Sequence, residues 1–483
     1  MLPSPPRRVF PTHHPALQHL HLFLNPFLVA LHLTCNLPLT LMSTSSASLL
    51  NLQPPNIDAY INTSYPSSSS TPLTPRQHAL VNTYLTSLRP SLHSYPPSQL
   101  LTTGVPRSFT TGTGLDITTH ISAHLLTARH EILFATCFWA PSSSLTHLAS
   151  TLRTLSAHRL AHPELPPLRV RICMSSLSLL QKLLPPATQS YPPSTWQRTL
   201  HLPAPEELAG LDLTVTSKFY LPFSVLHSKY VIVDRETLLL PSSNISWEPW
   251  LEQCSVFTGG IVRSFLWFYD GIWGLPAGSV PVAARIEGVA VPLLFLPQPH
   301  ARNPRFLSHA PVTPQNCFIS ALLGSAQRSV YLQTPNLTTA PIVRGLKEAV
   351  RRGVVVTVVT VKRMMVLEQL VTALGVATEC VVRRLVKWER RRGRDLEAGG
   401  GRLNVFYYEE REGEEPVKTH VKALVVDGEV AVMGSANADR ASWFTSQEVN
   451  VGVLDAEFAG EVEKRLRGEV RGKGRWACGG GEL

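Results

Sequence analysis

The chain has 483 residues, of which 44% are hydrophobic and 16% charged, and its formal net charge is +10. This composition describes a globular protein, and the length exceeds one ordinary hydrophobic core, so two or three domains are predicted. The charge favours an anionic partner (a nucleic acid, an anionic lipid surface or a phosphorylated substrate) over a plain solubilising role.

The cysteines argue against two kinds of site. There are seven of them, scattered along the chain and never spaced as Cys-x-x-Cys. An odd and scattered set argues against a disulfide framework and against a zinc site, and it is typical of a reducing compartment. An intracellular protein is therefore expected.

Residues 1–42 form an apolar segment. Two arginines precede its apolar run, and no acidic residue occurs before Asp58. This pattern predicts a membrane anchor or an organelle-targeting segment, for example for mitochondria. Pro26 and Pro38 interrupt the run, whereas a spanning helix should be cleaner, so a start at Met42 is the alternative.

The next segment, 43–107, is expected to hold a linker and one short helix. The stretch 43–72 is rich in Ser, Pro and Thr, which is typical of a disordered linker. A helix is predicted over 76–88, because prolines stand just before and just after it.

From residue 108 onward, helical and strand patterns alternate, which favours parallel strands and an α/β fold. The first half predicts helix 116–128, strand 130–139, helix 143–158, strand 168–174 and, after a Pro-rich insertion at 185–205, strand 211–216. The second half repeats this order as helix 315–327, strand 329–337, helix 340–352, strand 354–361 and strand 403–409.

This repeated order predicts a duplicated α/β unit. The two lobes are expected at 108–277 and 278–470, packed as a pseudo-two-fold dimer inside a monomeric chain. A Gly-rich tail at 471–483 is predicted to be frayed. An aromatic helix near 265–273 is expected to pack in the core, with lipid contact as the alternative.

One basic segment stands out in the second lobe. Residues 383–394 carry seven cations with Trp388 among them. Such a segment suits the phosphates of a nucleic acid or of an anionic membrane. A solvated helix is the other interpretation.

One polar pattern occurs once in each lobe. The first copy places His227, Lys229 and Asp234 in apolar strand sequence and is followed by Ser242 and Asn244. The second copy repeats these offsets with its own set, which is His420, Lys422, Asp427, Ser435 and Asn437. One copy would be chance more often than function, but two copies at corresponding places of a repeat predict a shared site.

Strand geometry divides the residues of each copy. Side chains two positions apart leave the same face, so His and Lys of each copy should point together toward a substrate. Asp234 and Asp427 stand at odd offsets and are expected to support the scaffold. Glu252 and Glu448 follow the two motifs and are candidates to orient the second ring nitrogen of a histidine.

The combined set suits a phosphodiester. The two lysines would neutralise its free oxygens, while Asn244, Asn437, Ser242 and Ser435 are expected to bind the phosphate. One neutral histidine can attack phosphorus, and the other can protonate the leaving oxygen and then activate water or an alcohol. Because there is no carboxylate cluster with Mg²⁺-type spacing, no metal and no other cofactor is expected.

The paired pattern resembles the signature of the phospholipase D superfamily, His-x-Lys-x4-Asp followed by Gly-Ser-x-Asn. The second copy matches in full, including Gly434, whereas the first has Pro241 where Gly is usual. The resemblance covers about 108–470. It implies a two-lobed α/β/α sandwich and a metal-independent ping-pong mechanism, with His227 as nucleophile and His420 as general acid.

Three functions compete. The order of elements in the second lobe looks most like cardiolipin synthase and related phosphatidyltransferases, which implies a phospholipid substrate at a membrane surface. A nuclease of the same superfamily is the alternative, and the basic balance favours it. A binding scaffold with a decayed site is opposed by the intact His, Lys and Asn of both copies. Hydrolysis and transfer differ only in whether water or an alcohol reaches the intermediate.

Overall fold

The computed structural model describes residues 56–66, 71–175, 188–220, 225–275, 288–299, 309–366, 369, 373–392, 400–410 and 413–478. The expectations for the apolar segment 1–42 and for residues 43–55 of the linker lie outside these residues. The linker expectation is wrong at Ile57–Ser64, which form a helix that buries Ile57 and Ile61. Within the part described, no helix is long and apolar enough to cross a membrane.

Among the described residues, eight strands form the sheet of the first lobe. They are β1 (Leu101–Gly112), β2 (Glu131–Thr136), β3 (Leu168–Ser175), β4 (Thr188–Ser190), β5 (Leu211–Lys218), β6 (Tyr230–Val233), β7 (Thr237–Pro241) and β8 (Trp250–Gly259). Their pairings give the order β4-β5-β3-β2-β6-β7-β8-β1, in which β5, β3 and β2 are parallel neighbours.

The second lobe repeats this sheet. Its strands are β9 (Val291–Gln298), β10 (Ser329–Gln333), β11 (Val355–Thr360), β12 (Arg402–Tyr408), β14 (Ala423–Val426), β15 (Val430–Gly434), β16 (Glu448–Val453) and β17 (Gly474–Cys478), with the short β13 (Lys418–Thr419) apart. The order is β9-β16-β15-β14-β10-β11-β12-β17, and β1 pairs with β9, which joins the two sheets. The predicted α/β fold of two duplicated lobes is confirmed.

Helices cover the sheets. They are α1 (Ile57–Ser64), α2 (Pro75–Leu88), α3 (Pro97–Leu100), α4 (Gly114–Leu125), α5 (Ser143–Ala161), α6 (Gly260–Trp273), α7 (Pro314–Ser325), α8 (Ala340–Arg351), α9 (Thr378–Arg392), α10 (Arg440–Phe444) and α11 (Ala456–Val470). Several begin where a hydroxyl accepts a free backbone N–H, as Thr74, Thr113 and Ser142 do. The aromatic helix α6 buries Phe265 and Tyr269, so its core-packing interpretation is confirmed.

Two strands differ from expectation. β1 begins before residue 108, in a stretch containing Gly104, where a Cβ would lie 2.6 Å from the carbonyl oxygen of Thr258. The tail is not frayed at Gly474–Cys478, because these residues pair with β12 and Trp476 stacks on Phe406 at 4.0 Å. Local composition missed both strands because glycine is rare in strands unless another backbone lies close.

The aspartate of each motif ends a strand and ties it to a neighbour. The Asp234 carboxylate accepts three backbone N–H groups, from residues 129–131, at 2.7–2.8 Å. Asp427 accepts the equivalent three, from 327–329, and also binds the Arg76 guanidinium of α2. Although burial opposes it, the Arg76 guanidinium and these N–H groups lower the pKa of Asp427. In this structure both aspartates support the scaffold.

Replacing Asp427 by alanine should therefore destabilise the fold. Three part-buried backbone N–H groups and a guanidinium lose their acceptor, so urea unfolding should show a loss of about 1–3 kcal/mol. Arg76→Ala is the matched control and should cost clearly less, because the carboxylate keeps its three backbone donors. Equal losses for the two variants would contradict this account.

Candidate active site

The two motifs meet where the lobes cross. The sequence predicted His227 and His420 inside strands. In the structure they lie instead in segments just ahead of β6 and β14. Each segment bonds to the other lobe: the His227 N–H donates to the Gln447 carbonyl at 2.9 Å and the His420 N–H to the Leu251 carbonyl at 2.8 Å. These equivalent bonds bring both histidines to one interface.

Each histidine binds a glutamate of the opposite lobe. His227 Nδ1 lies 2.8 and 2.9 Å from the carboxylate oxygens of Glu448, in β16. His420 Nδ1 lies 2.8 and 3.1 Å from those of Glu252, in β8. Both glutamates are buried. The pairs are therefore crossed, and neither lobe holds a complete histidine–glutamate pair of its own.

The lysines line the same interface. Lys229 Nζ donates to the His227 carbonyl at 2.8 Å, and Lys422 Nζ donates to the His420 carbonyl at 2.6 Å. Each ammonium keeps two N–H groups beyond this bond. Both side chains are buried, and burial lowers the pKa of Lys422 to about 7 although Glu252 opposes the shift.

The serines hold the glutamates. Ser242 donates to Glu252 and Ser435 to Glu448, each at 2.5 Å. Both hydroxyls are fully buried, so their protons serve the carboxylates in this structure, and binding of a phosphate by them stays a prediction. Pro241 leaves the turn unchanged, since the Ser242 N–H bonds to a β8 carbonyl as the Ser435 N–H bonds to one of β16.

The asparagines are fixed by different partners. Asn244 Oδ1 accepts the Phe138 N–H at 3.3 Å, which leaves its amide N–H groups for other acceptors. Asn437 donates one amide N–H to Asp439 at 3.0 Å, and its buried Oδ1 has no partner among the described residues. Asn437 and Lys422 line one cavity.

The two glutamates differ in the direction of their pKa shifts. Burial would raise the pKa of Glu448, but His227, Lys229 and Ser435 outweigh it and hold that pKa below the ordinary value. Ser442 adds a further donor to Glu448 at 2.6 Å. Burial raises the pKa of Glu252 to about 7, against the pull of Lys422 and Ser242. Hydrogen bonds that favour the ionised carboxylate are thus more numerous at Glu448.

Both histidines favour the neutral ring. Burial lowers the pKa of His227, and the Glu448 carboxylate limits the shift. Burial, together with Lys422 and Lys229, lowers the pKa of His420 well below its ordinary value. A neutral imidazole whose Nδ1–H is held by a carboxylate keeps a lone pair at Nε2. Such a ring can act as a nucleophile.

Sequence reasoning missed two residues of this site. The centre of the Trp250 ring lies 5.1 Å from that of the His420 ring. Leu251 and Gln447 are equivalent because each accepts the backbone N–H of a motif histidine, so Ser446 holds the position in the other lobe that Trp250 holds here. Ser442 is the extra donor to Glu448. No spacing pattern marks either residue, because each acts across turns whose geometry depends on the fold.

The unequal glutamates predict a pH effect. A pKa raised to about 7 means that Glu252 stabilises the fold at acidic pH and that this contribution disappears as pH rises through about 7. Urea unfolding of wild type and Glu252→Gln should show that the wild-type advantage shrinks by on the order of 2 kcal/mol between about pH 5 and pH 8.

Glu448→Gln is the matched control for this effect. The pKa of the Glu448 carboxyl is lowered in the fold. Its contribution to stability is therefore present above the ordinary pKa and is lost only as pH falls through the lower value. The difference between wild type and this variant should stay constant over the same range. A wild-type advantage over Glu252→Gln that grew with pH would contradict the assignment.

No group of three or more His, Cys, Asp or Glu residues that could hold a metal ion occurs among the residues described. The groups that converge at the interface are instead imidazoles, ammonium groups, amides and paired carboxylates. This set can stabilise an anionic centre and move protons around it.

Comparison with known proteins points to one family and one fold. Residues 319–469 match the family "Cardiolipin synthase, PLD-like domain". The minor cardiolipin synthase ClsB of Bacillus subtilis (strain 168) is 38% identical over 52 residues, which are 11% of this chain and 13% of that protein. The matched stretch thus spans a small part of this curated relative.

One solved structure shares the fold over most of this chain, and a second is similar to about a third of it. The phosphatidylserine synthase of Haemophilus influenzae Rd KW20 superimposes with a TM-score of 0.54 and 14% identity, over 78% of this chain and 89% of its own. The phospholipase D family member Nuc of Salmonella typhimurium gives a TM-score of 0.26 and 18% identity, over 34% of this chain and 90% of its own. The first of these likenesses covers both lobes.

Proposed function

We propose that this chain, which belongs to the phospholipase D superfamily as its paired motifs predicted, is a phosphodiesterase and phosphatidyltransferase acting on phospholipids. The observation that carries the proposal is the pair of crossed His–Glu contacts, flanked by two buried lysines at one interface. The match of residues 319–469 to the family "Cardiolipin synthase, PLD-like domain" supports the lipid substrate.

The first step forms a covalent intermediate. His227 Nε2 attacks phosphorus, because the ionised Glu448 holds the Nδ1–H and leaves the lone pair at Nε2. The N–P bond forms as the bond from phosphorus to the leaving oxygen breaks. That oxygen takes a proton from Nε2 of His420. The product is a phosphatidyl group on His227 and a free alcohol.

The proton on His420 has a local source. A protonated Glu252 carboxyl donates to Nδ1 of His420, so Nε2 must then carry the hydrogen of the ring. As Nε2 releases this hydrogen to the leaving oxygen, the Glu252 proton passes to Nδ1, so the ring stays neutral and Nε2 becomes a base. It removes a proton from water or an alcohol, whose oxygen attacks phosphorus while the N–P electron pair returns to His227.

The remaining groups stabilise charge. The free N–H groups of Lys229 and Lys422 face the extra negative charge that the phosphoryl oxygens gain in each transition state. The amide of Asn244 supplies a directional donor. Water as acceptor gives hydrolysis, and a lipid alcohol gives transfer.

One observation favours a nuclease as the second candidate. Helix α9 exposes a row of cations, which would suit a nucleic-acid backbone. The two candidates share the same chemistry at phosphorus, so only the substrate separates them.

The test offers phosphatidylglycerol vesicles and single-stranded DNA in parallel to the purified chain and to His227→Asn. Release of glycerol, or its replacement by a second lipid, is expected with the wild type alone, and DNA should stay intact. EDTA should leave the rate unchanged. Cleavage of DNA without lipid turnover would reject the lipid substrate, and activity of His227→Asn would reject the mechanism.

A further inference from the structure

Helix α9 concentrates positive charge on one surface. Its 15 residues hold six cations and two carboxylates. Neither carboxylate forms an ion pair with the exposed cations. Glu389 pairs with Arg392 at 2.8 Å, and Glu379 accepts the Arg363 backbone N–H at 2.6 Å. The exposed set has no ion-pair partner in the described part of the chain and comprises Arg383, Arg384, Lys387, Arg390 and Arg391.

This cationic row borders a groove with an apolar floor. The groove, of about 590 Å³, runs between α9 and the edge formed by β12 and β17. Val382, Val386 and Ala477 supply aliphatic surface, while the cations of α9 form the rim. The surface therefore combines positive charge with aliphatic side chains.

The helix that carries this surface begins beside the active site. Thr378, the first residue of α9, accepts the Leu337 N–H at 3.0 Å, and Leu337 bridges to Ala438, the neighbour of Asn437. The corresponding segment of the first lobe, 176–210, holds two cations and two carboxylates in its sequence. The sequence of this first-lobe segment thus lacks the concentration of cations found in α9.

We propose that this α9 surface docks the enzyme on an anionic phospholipid membrane and so presents the active-site entrance to the lipid. Each Lys or Arg close to an anionic bilayer strengthens binding by roughly fivefold at moderate salt. Short aliphatic side chains suit the interfacial region of a bilayer, whereas a nucleic-acid backbone offers no apolar surface to an aliphatic floor. This partner rests on the proposed lipid function.

The test measures co-sedimentation of the full chain with vesicles. One set contains equal parts of phosphatidylcholine and phosphatidylglycerol, and the other contains phosphatidylcholine alone. The docking variant replaces Arg383, Lys387, Arg390 and Arg391 by Gln. The charge-matched control replaces four exposed cations elsewhere by Gln, namely Arg198, Arg263, Lys464 and Arg471.

The docking variant should bind the anionic vesicles at least about tenfold more weakly than wild type, and the control should bind them nearly as well as wild type. Binding to phosphatidylcholine alone should not separate the three proteins. Wild-type affinity of the docking variant, or an equal loss in the control, would overturn the proposal. So would loss of single-stranded DNA binding with vesicle binding unchanged.

An activity arm separates this proposal from the function on which it rests. With a water-soluble short-chain phosphodiester, the docking variant should turn over at the wild-type rate, because none of its changes touches the histidine pairs. A matching loss on this soluble substrate would overturn docking as the role of the surface. Wild type that binds anionic vesicles through α9 but turns over no phospholipid would reject the proposed function and leave the docking surface standing.

Discussion

Replacing His227 by asparagine is expected to lower turnover of phosphatidylglycerol by about four orders of magnitude, because the atom that bonds to phosphorus is lost. His420→Asn should cost a similar factor with a natural lipid, whose alcohol needs a proton to leave. With a 4-nitrophenyl ester, which leaves without one, His420→Asn should still form the intermediate and release one equivalent of nitrophenol in a burst.

The two variants therefore differ in one measurable way. Stopped-flow absorbance should show the burst in His420→Asn and none in His227→Asn. His93→Asn, at an exposed histidine remote from the motifs in the sequence, serves as control and should behave like wild type. A burst in His227→Asn and none in His420→Asn would mean that the two histidines have exchanged roles.

Glutamine at the two glutamates is expected to slow different steps. In Glu448→Gln the side chain can still accept the His227 Nδ1–H, but the charge that supports the nucleophile is gone. Formation of the intermediate should slow by about a hundredfold or more. In Glu252→Gln the side chain that contacts His420 cannot supply a proton. Breakdown of the intermediate, and transfer of a proton to natural leaving groups, should slow instead.

Single-turnover kinetics with the 4-nitrophenyl ester separates these steps. Because the contacts are crossed, replacing Glu448 in β16 should affect His227 of the first lobe. Replacing Glu252 in β8 should affect His420 of the second lobe. Trp250→Ser is the control, because serine is the residue at the matching position of the other lobe. In the Trp250→Ser background, Glu448→Gln should still slow formation of the intermediate, and Glu252→Gln should still slow its breakdown. If Glu448→Gln slowed only breakdown, the crossed assignment would be contradicted.

The duplication and the motifs could be predicted from the sequence, because both are local patterns repeated along the chain. Spaced polar residues such as His420 and Lys422 in an apolar strand context are visible without a structure. The parallel strands were visible in the same way, since β11 is a run of valines and threonines between two helices. These features made the fold class and the family predictable.

The partners of the histidines were not predictable to the same degree. Glu252 and Glu448 were candidates, but only the pairing of β13 with β8, and the bridge of Leu226 to Gln447, shows that each serves the opposite lobe. No sequence offset encodes contacts between distant strands. The serines were assigned to phosphate because a hydroxyl is a donor, yet a buried carboxylate has the stronger need for that donor.

The most direct measurement is the site of the covalent intermediate. His420→Asn is mixed with the 4-nitrophenyl phosphatidyl ester, quenched at alkaline pH, where a phosphorus–nitrogen bond survives, and mapped by peptide mass spectrometry. The account predicts a phosphatidyl adduct on His227, absent from His227→Asn. An adduct on Lys229, on Ser242 or on any other residue, or none while nitrophenol is released, would contradict it.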